Sequence, residues 1–93
     1  MREKVIEQKL VTAVKKNGGI CPKFTSPGFD GMPDRLVLLP FGKLAFVEVK
    51  APGEKPRPLQ LARHDMLHRL GFRVYVLDDV NQIGGMLDEI RAT

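Results

Sequence analysis

The sequence predicts an α/β fold: a mixed central sheet that contains an antiparallel hairpin and is flanked by helices. Three observations carry this. Two runs rich in Leu and Val, Arg35 to Leu39 and Lys43 to Lys50, are separated only by Pro40-Phe41-Gly42, which is a hairpin pattern. A strand–helix–strand passage leads from that hairpin to Leu77, and such a passage joins parallel strands by a right-handed crossover. Helix signals stand at both ends of the chain.

Each element has its own reason. In residues 3–17, Val5, Ile6, Leu10, Ala13 and Val14 recur at three- and four-residue spacing, and Asn17-Gly18-Gly19 stops the helix. Ile20 to Phe24 is a short candidate strand. Thr25 to Met32, rich in Gly, Pro, Ser and Asp, is a loop. After the hairpin, Ala51 to Pro58 holds three prolines and a glycine and makes an irregular connection. Pro58 opens a helix that runs from Leu59 to Leu70 and stops at Gly71. Met66, Leu67 and Leu70 are its expected core residues. Phe72 to Leu77 reads as a buried strand, and Asp78 or Asp79 caps a last helix.

Composition bounds the function. Ninety-three residues suit one domain, residues 1–93. An apolar fraction of 43% argues against disorder. Lys and Arg total 15 against 11 Asp and Glu, a mild excess compatible with a polyanionic partner. Trp is absent and aromatics are few, which disfavours recognition through stacking platforms. Cys21 is the only cysteine, so no internal disulfide is expected, and it reads as a small buried side chain. No apolar run reaches transmembrane length and no signal-peptide pattern is visible, so a cytoplasmic protein is expected.

The hairpin yields the sharpest inference. If the turn is residues 40–42, Leu39 faces Lys43 and, counting outwards, Asp34 faces Glu48. Opposed residues share a face with their Cβ atoms about 4.5–5.5 Å apart. Lys50, two residues beyond Glu48, shares that face. Opposed carboxylates destabilise a sheet unless something offsets their repulsion. A hard divalent cation does so: Mg²⁺ takes carboxylate oxygens and keeps several waters. An ammonium beside it can orient a water or stabilise charge on a phosphate. Gly28 and Gly31 let a substrate approach, and Pro33 restricts the backbone before Asp34.

These residues carry a resemblance. Gly31-Met32-Pro33-Asp34 followed by Glu48-Val49-Lys50 resembles the PD-(D/E)XK nuclease signature. More narrowly, the chain resembles the VRR-NUC family, found as stand-alone phage or bacterial proteins and as the nuclease domain of a larger DNA-repair enzyme. Lys23-Phe24-Thr25-Ser26-Pro27-Gly28, Pro58-Leu59-Gln60 and Gly71-Phe72-Arg73-Val74-Tyr75-Val76 extend the match over nearly the whole chain. The resemblance implies a restriction-endonuclease-like fold, similar to Holliday-junction resolvases, that hydrolyses DNA phosphodiesters with Mg²⁺ or Mn²⁺. It implies that Asp34, Glu48 and the backbone carbonyl of Val49 hold the metal, that Lys50 serves catalysis, and that Gln60 lies beside the site. An acidic residue on the first helix is also implied. Glu7 is the first choice and Glu3 the second, the alternative for either being a solvated helix charge. It further implies branched DNA as substrate, a two-fold dimer, and a bacterial host cell as setting.

Other residues are weighed beside these. Lys23, Ser26, Lys55 and Arg57 are candidate DNA contacts. Arg63, Arg69 and Arg73 are either phosphate contacts or a solvated positive face. His64 and His68 have zinc-ligand spacing but lack a third ligand, so exposed helix positions are expected for them. Val5 and Ile6 are expected on a different side of the first helix from Leu10 and Val14, as a candidate dimer contact. The competing function is a non-catalytic DNA-binding module of the same fold, with a structural acidic pair.

Overall fold

The computed structural model describes residues 1–93. Helix α1 spans Glu3–Lys16, strand β1 Arg35–Leu39, strand β2 Lys43–Val49, helix α2 Pro58–Arg69, strand β3 Val74–Leu77 and helix α3 Ile83–Arg91. Short 3₁₀ turns occupy Pro40–Gly42 and Val80–Gln82. The sheet order is β1-β2-β3, antiparallel then parallel. The mixed sheet expected from the sequence is therefore present.

Helix α1 buries a single stripe, Ile6, Leu10 and Val14, all fully enclosed. Ile6 thus lies on the same side as Leu10 and Val14, and the expectation that it faces elsewhere is overturned. The four-residue spacing from Ile6 onward keeps these side chains on one line. Glu3 in the first turn and Lys15 and Lys16 in the last complement the helix dipole. From α3, Ile83, Met86, Leu87 and Ile90 join the stripe. Both helices cover the sheet face that carries Val37, Leu39, Ala45, Val47, Val49 and Leu77. Each large buried side chain there contributes roughly 1.5–3 kcal/mol. Cys21 is buried at the edge of this core, and burial pushes its thiol up to about 11.

The strand expected at Ile20–Phe24 is present only as a broken ladder on the outer edge of β1. Ile20 and Leu38 exchange both backbone bonds, Leu36 N–H donates to the Pro22 carbonyl, and Phe24 N–H donates to the Asp34 carbonyl. Pro22 has no N–H to return, which interrupts the pairing in its middle.

The other edge also differs from expectation. Strand β3 starts at Val74 because the N–H of Phe72 is spent on closing α2, donating to the Leu67 carbonyl. Gly71, at φ +95°, makes the reversal that brings Phe72 there. Of the residues expected to be buried, only Leu77 is; Val76 is 38% exposed, as befits an edge strand. On α2, Leu67 is buried but Leu70 is 67% exposed and Met66 only half-buried.

Phe41, at the hairpin tip, has φ +68° and is 97% exposed. A side chain in the left-handed region costs roughly 1–2 kcal/mol, least for Asn and Asp, and Phe41 recovers none of this through burial. Phe41→Asn is therefore expected to raise stability by about 1 kcal/mol. Thermal unfolding checks this; an unchanged or lower melting point would mean that the ring stabilises the turn in some other way.

Candidate active site

The functional end of the sheet lies away from the hairpin tip. The observed register pairs Arg35 with Val47 and Leu39 with Lys43, as the three-residue turn predicts. Asp34 stands one step before the ladder, after the fully buried Pro33. It remains in line: the N–H of Val49 donates to Asp34 Oδ1 at 3.2 Å. Glu48 is 3% exposed on the sheet face opposite Val47 and Val49. Lys50 continues the parallel pairing, its N–H donating to the Leu77 carbonyl at 2.9 Å. Its Nζ lies 3.9 Å from Glu48 Oε2. Local β geometry thus delivers three of the predicted residues to one place.

Helix α2 closes the site from above that face. Its buried positions are Gln60, His64 and Leu67, a four-plus-three spacing that marks one stripe. Gln60 is used at both ends of its amide. Its oxygen accepts from the Arg57 N–H at 2.8 Å, which caps the helix start, and its Nε2 donates to Glu48 Oε2 at 3.2 Å. Gln60 is therefore beside the site, as expected.

His64 is not an exposed helix residue, and that expectation is corrected. It is 6% exposed, with Nε2 3.8 Å from Glu48 Oε1. Those two atoms are sealed from solvent and have no hydrogen-bond partner. His68 points the other way, toward the Val74 carbonyl. The two histidines diverge, and no cluster of three or more His, Cys, Asp or Glu side chains is poised as a metal cage. The signal for His64 was present in the sequence: once Gln60 is placed at the site, the residue one turn later must face it too.

Electrostatics follow from burial. Desolvation pushes the Glu48 carboxyl up to about 7, with the nearby Asp34 charge adding to the rise and Lys50 opposing it. Asp34 is also raised, first by desolvation, while its bond from Val49 N–H pulls the other way. Burial holds His64 below the usual imidazole range, helped by the positive charges of His68 and Lys50.

Glu7 does not stand free. Its carboxylate takes a bond from Arg35 Nε at 3.2 Å, and Arg35 also donates to the Cys21 carbonyl at 2.8 Å. Both Glu7 and Glu3 are near enough to raise Asp34, and Glu3 also raises Glu48. The α1 carboxylates thus border the site without joining its hydrogen bonds.

The basic candidates divide. Lys55 and Arg57 are exposed with no ion-pair partner, and Arg57 lies near enough to lower Glu48. Lys23 is exposed on the outer edge of β1, while Ser26 is half-buried in the loop before Asp34. Arg69 is paired with Asp65, and Arg73 with Glu89 and Tyr75. Arg63 is a clamp: it donates to the Asp30 carbonyl at 2.8 Å and covers the Phe29 ring at 4.0 Å. That clamp holds the loop before Asp34 against α2. Gly31 permits the approach, with φ +89° and a hypothetical Cβ only 2.8 Å from Leu59 Cγ. Gly31→Ala is expected to cost about 1–3 kcal/mol and to slow any reaction at Asp34 by displacing the loop. Denaturant unfolding beside a rate measurement checks both; a variant as stable as wild type would show that α2 yields without cost.

Comparison with known proteins identifies the family. The profile of the VRR-NUC domain matches residues 3–80. The chain is 60% identical over 78 residues to "Putative nuclease p44" of Acyrthosiphon pisum secondary endosymbiont phage 1, covering 84% of each chain. A solved structure described as a VRR-NUC domain superposes with a TM-score of 0.87 at 30% identity, covering 95% of this chain and 97% of that one. With its Asp34, Glu48 and Lys50 gathered at one end of such a sheet, this chain belongs to the VRR-NUC family of nuclease domains.

Proposed function

We propose that this nuclease is a divalent-metal-dependent endonuclease that hydrolyses DNA phosphodiester bonds, selective for branched DNA such as four-way junctions or flaps. The observation that carries the reading is the convergence of Asp34, Glu48 and Lys50 on one sheet end. The donor set fits Mg²⁺ or Mn²⁺. It offers hard carboxylate oxygens whose charged forms are disfavoured by burial in the metal-free protein. Asp34, Glu48 and the Val49 carbonyl would hold the ion, with Glu7 as a further donor if it leaves Arg35. Such an ion supplies Lewis-acid polarisation of a phosphate and lowers the pKa of water. Lys50 orients the attacking water or stabilises charge on the phosphate. Gln60 holds Glu48 in place. Lys23, Ser26, Lys55 and Arg57 contact the DNA backbone.

Branched DNA is favoured because so small a fold offers little surface for reading bases. A homodimer would match the approximate two-fold symmetry of a four-way junction. Ile6 is excluded from that contact by its burial. Leu59, Met66 and Leu70 share a stripe on α2 that is partly exposed and apolar, and it supports self-association better than α1 does. Sedimentation should show a dimer at micromolar concentration; a monomer alone would favour a flap or end nuclease over a symmetric junction cutter. No helix is long and apolar enough to cross a membrane.

Cleavage of labelled junction, flap, single-stranded and linear DNA, with Mg²⁺, Mn²⁺ or chelator, tests the reading. Metal-dependent nicks near the branch point are expected. Tight DNA binding with no cleavage under any metal would instead make the chain a binding module of this fold.

A further inference from the structure

We infer that His64 is a positioning residue of this site: its Nε2–H holds the free oxygen of Glu48, so that α2 grips both oxygens of that carboxylate. The inference rests on the proposed nuclease reading for its purpose, but not for its geometry.

Only three polar or charged residues of the chain are buried, Glu48, Gln60 and His64, and they contact one another. Gln60 already serves Oε2. Oε1 and the His64 Nε2 face each other at 3.8 Å, and both are sealed from water and without partners. A carboxylate oxygen can only accept, whereas a neutral imidazole places its one N–H on either nitrogen. With the proton on Nε2, both orphan atoms are satisfied by a single bond. With it on Nδ1 and Glu48 ionised, two lone pairs confront each other in a dry pocket, an arrangement that buried polar groups avoid. The gap is about 0.8 Å too long for a hydrogen bond, and hydrogen bonds at such sites often tighten only when the site is filled. Above the ordinary imidazole range the ring is neutral and carries a single N–H.

The consequence concerns how the carboxylate is oriented. Gln60 and His64 sit one turn apart on the same rigid helix, and Gln60 also caps its start. A carboxylate held on both oxygens loses its freedom to rotate, which is how outer partners tune a metal ligand.

Two variants and one spectrum test this. His64→Gln retains an amide donor at similar reach, whereas His64→Leu keeps apolar bulk and removes it. Calorimetry with Ca²⁺ should show His64→Leu binding roughly tenfold or more weakly, with His64→Gln restored to within about threefold of wild type on the same scale. Cleavage should follow the same order. In ¹H–¹⁵N spectra of the wild-type protein above about pH 8, where Glu48 is ionised, the His64 proton should reside on Nε2 with and without Ca²⁺. Equal Ca²⁺ affinity in wild type and His64→Leu, or a proton on Nδ1, overturns the inference. If His64→Leu does not fold, the spectrum decides by itself. A wild-type protein that cuts no DNA would sink the nuclease reading, while the spectrum would still judge the contact between His64 and Glu48.

Discussion

Asp34→Asn and Glu48→Gln are each expected to abolish cleavage while leaving the fold and DNA binding intact. Each substitution preserves one local hydrogen bond. Asn retains an oxygen to accept from the Val49 N–H, and Gln retains one for Gln60. What each removes is a negative charge at the place where two such charges converge. Metal affinity should fall, because half of the carboxylate set is gone. Metal-free stability should hold or rise, because the remaining charge is no longer opposed. Burial and Asp34 raise the Glu48 carboxyl from 4.5 to about 7 in the folded protein. The folded state therefore binds that proton more tightly than the unfolded chain. Stability of the metal-free protein falls as pH rises through this window, and the full penalty is present above pH 7. Glu48→Gln carries no such penalty. In chelator at about pH 8 it should melt roughly 5 °C or more above wild type, and the difference should close below about pH 4. A variant that cuts at near wild-type rate would remove its residue from the mechanism. A metal-free Glu48→Gln protein less stable than wild type at high pH would mean that the buried charge is better solvated than its surroundings suggest.

Lys50→Met is expected to lower the cleavage rate by roughly 10²-fold or more, the scale seen when one electrostatic stabiliser of a transition state is removed. Lys50 is 14% exposed, so most of its stem is packed, and Met keeps most of that stem. Only the ammonium is lost. Ca²⁺ affinity measured above about pH 8, with both carboxylates ionised, should stay equal or rise, since a neighbouring cation has gone. DNA affinity should fall only modestly, because Arg57, near Glu48, and Lys55 are both exposed with no ion-pair partner. Single-turnover kinetics in Mg²⁺ separate the chemical step from binding. Wild-type rates would make Lys50 an ordinary charge at a strand end. Loss of Ca²⁺ binding together with the rate would mean that Lys50 organises the site, through its 3.9 Å approach to Glu48 Oε2, and does not act on the substrate.

The positions of Asp34, Glu48 and Lys50 were legible in the sequence because they follow from local rules. A three-residue turn sets the hairpin register, and strand alternation then puts all three on one face. The helix stops at Gly18-Gly19 and Gly71, the Pro58 start and the single stripe opened by Leu10 and Val14 were local in the same sense. What the sequence could not decide is what packs against what. Ile6 went into the core because α3 and the sheet enclose that side of α1. Leu70 and Val76 stayed exposed because the sheet ends at β3 and nothing covers its edge. Arg63 and Arg73 found partners on other elements, and Glu7 met Arg35, contacts that no spacing rule predicts. The inward face of α2 is the clearest case. Most of its apolar residues lie off the buried stripe, and tertiary packing chose the stripe of Gln60, His64 and Leu67, whose two polar members face Glu48. Periodicity reports where apolar side chains recur. It is silent about a helix whose buried face must be polar because it closes over a charge.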